Sequence, residues 1–206
     1  MSADFAKLET AVDDLTLAER SDRARAIDHW FRGFAKVLRH HHRFEHERFW
    51  PALQERIGPL EPVQQLVHDH AGVDAALDDV QRGFWELRHQ RDFVVPQAQL
   101  VERIGHARRV LQVYLDREES EVVPRFREQF HGREFNEVDP GVGKGLGLGG
   151  TAFAVPWGMG VMTAEERAML LPRTPWPLRV AYRAFHFSYQ RKASALNLWA
   201  PRTLGG

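Results

Sequence analysis

The chain has 206 residues, enough for one well-cored domain with an appendage. Its 28 basic and 28 acidic side chains balance, so no global field recruits nucleic acid or an anionic membrane. The absence of cysteine excludes disulfides, thiolate metal sites and thiol nucleophiles, and fits a cytoplasmic protein in a reducing compartment.

The opening stretch, MSADFAKLETAVDDL, lacks the apolar core of a signal peptide, and no run approaches the ~18 apolar residues of a membrane span. Phe5, Leu8, Val12 and Leu15 recur at threes and fours, which predicts a short amphipathic first helix. TLAERSD breaks it, with Ser21 or Asp22 as N-cap of the next. The second helix is predicted from about Asp22 to Arg56, with Ile27, Phe31, Phe34, Leu38, His41, Glu45, Phe49 and Leu53 facing inward. IGPLEP ends it, and Pro62 suits the first turn of a third helix. The third stripe is Leu66, His70, Val73, Leu77, Val80, Phe84 and Leu87. After RDFVVP, Pro96 opens a fourth helix, with Leu100, Ile104, Ala107, Leu111, Tyr114, Glu118 and Val122 inward. Pro51 and Pro124 fall late in their helices, where a kink or fraying is expected. The expectation is an all-α fold, an up-down-up-down four-helix bundle over residues 1–130.

Residues 131–162 read as a glycine-rich connector. Lys144 is followed by Gly145 rather than a hydroxyl residue, so the segment lacks the phosphate-binding P-loop spacing. Residues 163–206 read as a C-terminal helical extension, opened by a Thr163/Glu166 capping box. Its last helix, about Pro177 to Leu198, is basic and aromatic, with Arg179, Tyr182, Arg183, Phe185, His186, Phe187, Tyr189, Arg191 and Lys192. Packing of those aromatics on the bundle is favoured over a nucleic-acid or membrane face.

The chemistry gathers in a near-repeat. HHHRFEHERFWP places His41 four residues before Glu45 and ten before Pro51, and YLDREESEVVP places Tyr114 four before Glu118 and ten before Pro124. In the predicted topology these helices run parallel and bring both segments, with His70, to one level of the core. A carboxylate there must be paired, protonated or metal-bound, because an isolated buried charge is prohibitively costly. His and Glu at i and i+4 share a helix face, and imidazole with carboxylate suits non-haem iron or manganese. Each residue also has a plainer reading. A core histidine is more often hydrogen-bonded than metallated, a helical tyrosine is usually core, and Glu118 with Glu119 can be a solvated face. The convergence of all five, His41, Glu45, His70, Tyr114 and Glu118, favours metal.

LRHHHRFEHERFWPAL, LVHDHAGVDAAL and YLDREESEVVPRF resemble the second, third and fourth helices of the hemerythrin-like HHE cation-binding domain, over roughly Asp22 to Arg127. PWGMGVMTAEERAMLLPRTPWPLRVAYRAF resembles the extension of an actinobacterial branch. The resemblance implies a di-iron site built from a His on the first helix, His-x-x-x-Glu on the second, His on the third and His-x-x-x-Glu on the fourth. It nominates Glu45 and Glu118 as bridging carboxylates and His41 and His70 as terminal ligands. Tyr114 stands where the family has His. Its phenolate can ligate ferric iron and would favour Fe(III) over the ferrous state that O2 binding requires. The first helix carries no His and is too short to reach His41. Water, the N-terminus, another subunit, an upstream start, or Glu119, His42, His68 or His106 would then make up the set.

The implied function is an iron protein, dinuclear by resemblance or mononuclear, that binds, senses or detoxifies a small oxidant such as O2, NO or peroxide, with a homodimer as one way to complete the site. No second substrate pocket is legible, so catalysis stays open. The alternative is a degenerate bundle with weak or no metal, acting through partners. In it Tyr114 bonds Glu118, His41 or His70 directly.

Overall fold

The computed structural model describes residues 2–131 and 145–170, with residues 180, 182, 185–187, 189, 190 and 193 of the tail. Among the described residues there is helix and turn but no strand. In chain order the elements are α1 (Ser2–Asp13), a 3-10 turn (Leu17–Glu19), α2 (Asp22–Phe44), a π turn (Glu45–Phe49) and α3 (Trp50–Ile57). They continue with α4 (Glu61–His89), α5 (Val94–Arg117), a second π turn (Glu118–Val122), α6 (Val123–Gln129), α7 (Gly147–Val161) and α8 (Ala164–Leu170).

Polar pairs fix the directions. Asp28 on α2 meets Arg88 on α4 at 3.3 Å, Arg39 meets Asp78 at 2.5 Å, and the His42 ring lies on His70, so α2 and α4 run antiparallel. Glu86 with Arg103, and Asp69 with Arg117, make α4 and α5 antiparallel. Gln97 at the start of α5 donates to the carbonyls of Val12, Asp13 and Leu15, satisfying groups that the end of α1 leaves without helical partners. Pro62 does occupy the first turn of α4. Ser21 precedes α2 but makes no side-chain cap.

Apart from His41 and Phe49, which are only partly buried, the predicted stripes are buried. Ile27, Phe31, Leu66, Val80, Phe84, Leu87, Leu100, Ile104 and Leu111 are fully enclosed, and Phe5 meets Phe31 and Phe34 edge-on at 6.3 and 5.4 Å. Each such side chain contributes about 1.5–3 kcal/mol of transfer free energy. With Phe5 level with residues 31–34, α1 begins about one turn short of His41. The short first helix expected from the sequence therefore adds nothing to the polar band.

Residues 147–161, read from the sequence as part of a connector, form a helix, α7. Their apolar content is used in packing. Phe153 lies over Gly33, where a Cβ would fall 2.5 Å from the ring, and Phe153 and Trp157 contact Trp30 and Phe34 edge-on. Gly145, at φ +93°, sits beside His40, so the segment lies along α2 between His40 and Trp30. The capping box of α8 forms as expected, Thr163 N–H donating to Glu166 and Glu166 N–H to Thr163 Oγ1. In the tail, Tyr189 accepts from Trp30 Nε1 at 3.3 Å and is buried beside Phe153, whereas Phe187 remains exposed. Arg179, Arg183, Arg191 and Lys192 lie outside the described residues.

Candidate metal centre

Each half of the near-repeat folds the same way. Pro51 and Pro124 lack an N–H, and each would clash with the carbonyl four residues before it in a regular helix. The backbone widens instead. Trp50 N–H bonds Glu45 O, and Val123 N–H bonds Glu118 O, each a five-residue step that closes a π turn. Both turns start on the carboxylate that sequence reading selected. The two predicted long helices are thus interrupted at Glu45 and at Glu118.

Glu45 is the hub. It is almost wholly buried, with Oε1 3.2 Å from His41 Nε2 and Oε2 3.1 Å from His70 Nε2. Tyr114 donates its hydroxyl to Glu45 Oε2 at 2.8 Å. Glu118 is buried and approaches both Glu45 and Tyr114. The structure therefore unites all five predicted residues. His41 differs from the rest in being half exposed, with 42% of its side chain open to solvent, so it forms the rim of the site.

Burial dominates the electrostatics. It pushes the Glu118 carboxyl up to about 7, aided by the facing Glu45 charge, and pushes Glu45 upward too, opposed by His41 and by the Tyr114 hydrogen bond. Burial with the two facing carboxylates lifts the Tyr114 phenol far above its ordinary value, so without a cation it stays protonated as a donor. His70 is depressed to about 4 and His42 to about 2, chiefly by burial, so both imidazoles are neutral. Neutral imidazole and facing carboxylates are the donor forms that a cation needs.

One nitrogen atom of His41 and one oxygen each of Glu45 and Glu118 lie within 4.8 Å of one another. Both His70 nitrogens are buried without a well-formed hydrogen bond, the 3.1 Å contact to Glu45 being off line. A crowded carboxylate pair beside unpartnered imidazole fits a cation.

That geometry agrees with the comparison to protein families, in which the hemerythrin HHE cation-binding domain model matches residues 1–126. The chain belongs to that family. Comparison with curated proteins and with solved structures finds no match.

Within this hemerythrin domain, sequence reading underrated His42, treating it only as a stand-in for an absent ligand. It is buried, stacked on His70 with ring centroids 4.1 Å apart, and edge-on to Tyr114. Three successive histidines on a helix point three ways, and the inward one is 42, beside the stripe position at 41. The other stand-ins do not join the site. Glu119, His68 and His106 are exposed. His68 and His106 flank a groove of about 420 Å³ between α4 and α5 that has Tyr114 at its floor. A larger groove, about 680 Å³, lies beside Glu9 and Gly105 and includes none of the five residues.

Proposed function

We propose that this hemerythrin domain is a non-haem iron protein for a small oxidant such as O2, NO or peroxide, within an up-down-up-down four-helix bundle. Iron held by His41, Glu45, His70 and Glu118, dinuclear by family pattern or mononuclear, would supply an open coordination position for that ligand. The observation that carries the reading is the convergence of two buried carboxylates from two π turns beside unpartnered His70. Tyr114 makes the site atypical. Its phenol holds a proton at Oη against Glu45 and delivers that proton only if a cation replaces it. With the proton gone, the hard phenolate favours the ferric state. His41, at the rim, orients Glu45 from the solvent side. The burial of Glu45, Glu118, His70 and Tyr114 excludes bulk water. A cytoplasmic location, the absence of nucleic-acid or membrane partners and a homodimeric assembly belong to the same proposal. Among the described residues no helix is long and apolar enough to cross a membrane.

The Tyr114–Glu45 hydrogen bond, with Glu118 close to both, also favours a second reading. In it these groups satisfy one another, and the bundle serves partners with little or no metal. Metal content and an absorption spectrum decide, on protein expressed with supplemented iron and purified without a histidine tag. About one or two irons per chain, lost in Glu118→Ala, supports the iron site. A broad visible band removed by Tyr114→Phe identifies phenolate on Fe(III). Sub-stoichiometric metal indifferent to His41→Ala and Glu118→Ala overturns the proposal and leaves the partner-binding bundle.

A further inference from the structure

Three features of the groove between α4 and α5 serve no contact within the bundle, among the described residues. The first is Gly72, an exposed glycine in the middle of α4. Glycine there weakens a helix relative to alanine, and close helix packing is the usual reason for it. Gly83 and Gly105 have that reason, since a Cβ on them would fall 2.8 Å from Leu100 and 3.3 Å from Glu9. A Cβ on Gly72 would meet only Val110, at an ordinary 4.0 Å. What its missing side chain leaves open is the groove of about 420 Å³. The second feature is Val113, 58% exposed on the groove wall beside Val110. The third is Arg109. Arg82, Arg88, Arg103, Arg108 and Arg117 of the same two helices each hold a carboxylate, and Arg109 holds none among the described residues.

These features lie in one line. His106, Arg109, Val110 and Val113 recur at threes and fours, so they share a face of α5 about 10 Å long. With α4 antiparallel, His106 and Arg109 stand toward one end of the groove and His68 toward the other, with Gly72 between. Tyr114, fully buried, closes the floor, its hydroxyl committed to Glu45. Asp69 is the one carboxylate on the wall, and both its oxygens are engaged: Arg117 holds Oδ2, and Gln65 donates to Oδ1 at 3.1 Å. The charge left open to the groove is therefore cationic.

We propose that this groove binds a small organic anion, a monocarboxylate whose apolar body is a medium-length chain or a single aromatic ring. The guanidinium of Arg109, with the His106 imidazole beside it, receives the carboxylate, because a planar guanidinium matches the two oxygens of that group. The body lies over Gly72, Val110 and Val113 and takes exposed valine out of water. A volume of about 420 Å³ falls within the range of small-molecule sites, about 300–1,000 Å³. An inorganic anion would leave the apolar trough unfilled, and a neutral apolar ligand would leave Arg109 unpaired. Only an amphiphile uses both. The groove includes none of His41, Glu45, His70 and Glu118, so the site stands with or without iron.

The test is calorimetric titration of the metal-free full chain, which keeps the carboxylate from binding iron instead. Octanoate and phenylacetate are the probes, acetate supplies the head alone and 1-octanol the body alone. One equivalent of octanoate or phenylacetate is expected to bind at least tenfold more tightly than acetate or 1-octanol, and the tighter probe names the apolar body. Gly72→Leu fills the trough and Arg109→Gln removes the guanidinium, and each should weaken the probe at least tenfold. Both positions are exposed, and Gly72→Leu replaces a poor helix former with a good one, so its melting temperature should not fall. Arg108→Gln, at a guanidinium that rests on Glu9 instead, should bind as wild type does. The proposal is overturned if neither probe binds, if acetate or 1-octanol binds as tightly, or if either Gly72→Leu or Arg109→Gln leaves the affinity unchanged. None of these readouts involves iron, so this proposal and the metal proposal fail separately.

Discussion

Glu45 and Glu118 each open a π turn, and in each the proline six positions on removes the hydrogen bond that a regular helix would make. The widened turn changes the side-chain register by about one residue, so each carboxylate and the apolar residues beyond it can both face inward. Val122 at the end of its turn, and Phe126 and Leu53 beyond the turns, are all buried and hold that register in place. Restoring a donor relaxes the constraint. Pro51→Ala and Pro124→Ala are each expected to raise the melting temperature of the metal-free protein by a few degrees and to weaken iron binding by about tenfold. Calorimetry and competition titration read the two effects. Unchanged iron affinity would mean that core packing alone maintains the π turns.

Tyr114 supplies Glu45 with its only short hydroxyl donor among the described residues. Tyr114→Phe removes the donor and leaves a buried acceptor short of a partner, which costs about 1–3 kcal/mol. Denaturant unfolding of the metal-free variant is expected to show that loss. Tyr114→His instead restores the residue type of the family pattern and replaces a hard phenolate with imidazole. It should shift preference from ferric toward ferrous iron, read as a rise of the reduction potential. A potential unmoved by Tyr114→His would place Tyr114 outside the ligand set.

Glu118 gives the site a pH dependence of definite sign. Its carboxyl rises from 4.5 to about 7 on folding, so between those values the native chain keeps a proton that the unfolded chain has released. Its contribution is full below pH 4.5 and is lost as pH rises through 7. His42 and His70, depressed to about 2 and 4, act oppositely and destabilise as pH falls below 6.5. Comparing wild type with Glu118→Gln cancels the histidine part. Without metal, the two should be equally stable near pH 4.5, and the Gln variant should be more stable by about 1–3 kcal/mol at pH 8. Metal must displace the same proton, so wild-type affinity should fall about tenfold per pH unit below 7.

The stripes Ile27 to Leu53, Leu66 to Leu87 and Leu100 to Val122 were legible because helical period three-and-four leaves a direct trace in residue type. The near-repeat around Glu45 and Glu118 was legible for the same reason, since equal spacing gives equal local geometry. The π turns were not. A proline predicts disruption, but whether the backbone kinks, frays or widens depends on what Phe49, Leu53, Val122 and Phe126 must pack against. His42 was hidden because it lies one position off the predicted stripe, within α2 before the π turn, where it is buried while His41 stays at the rim. α7 was hidden by composition. Seven-residue stretches such as GLGLGGT have poor helix propensity, and only the bed formed by Trp30, Gly33 and Phe34 makes helix the better state.

That bed gives the extension its own test. Gly33 provides the space for Phe153, since a Cβ there would fall 2.5–2.9 Å from three atoms of the ring. Gly33→Leu cannot be accommodated without moving α7, because α2 is fixed from behind by Phe31 and Ala35, both fully buried. Overpacking of this kind costs about 1–3 kcal/mol. The loss should fall on α7 and spare the bundle. Limited proteolysis is expected to open residues 147–161 first, with a change in the fluorescence of Trp30 and Trp157. Helix content of residues 22–129 and iron affinity should stay within threefold of wild type, since Glu45 and Glu118 lie several turns away. Adding Phe153→Ala to Gly33→Leu removes the ring that clashes and should restore part of the protease resistance. If Gly33→Leu lowers iron affinity more than tenfold, α7 is instead part of what holds the metal site in shape.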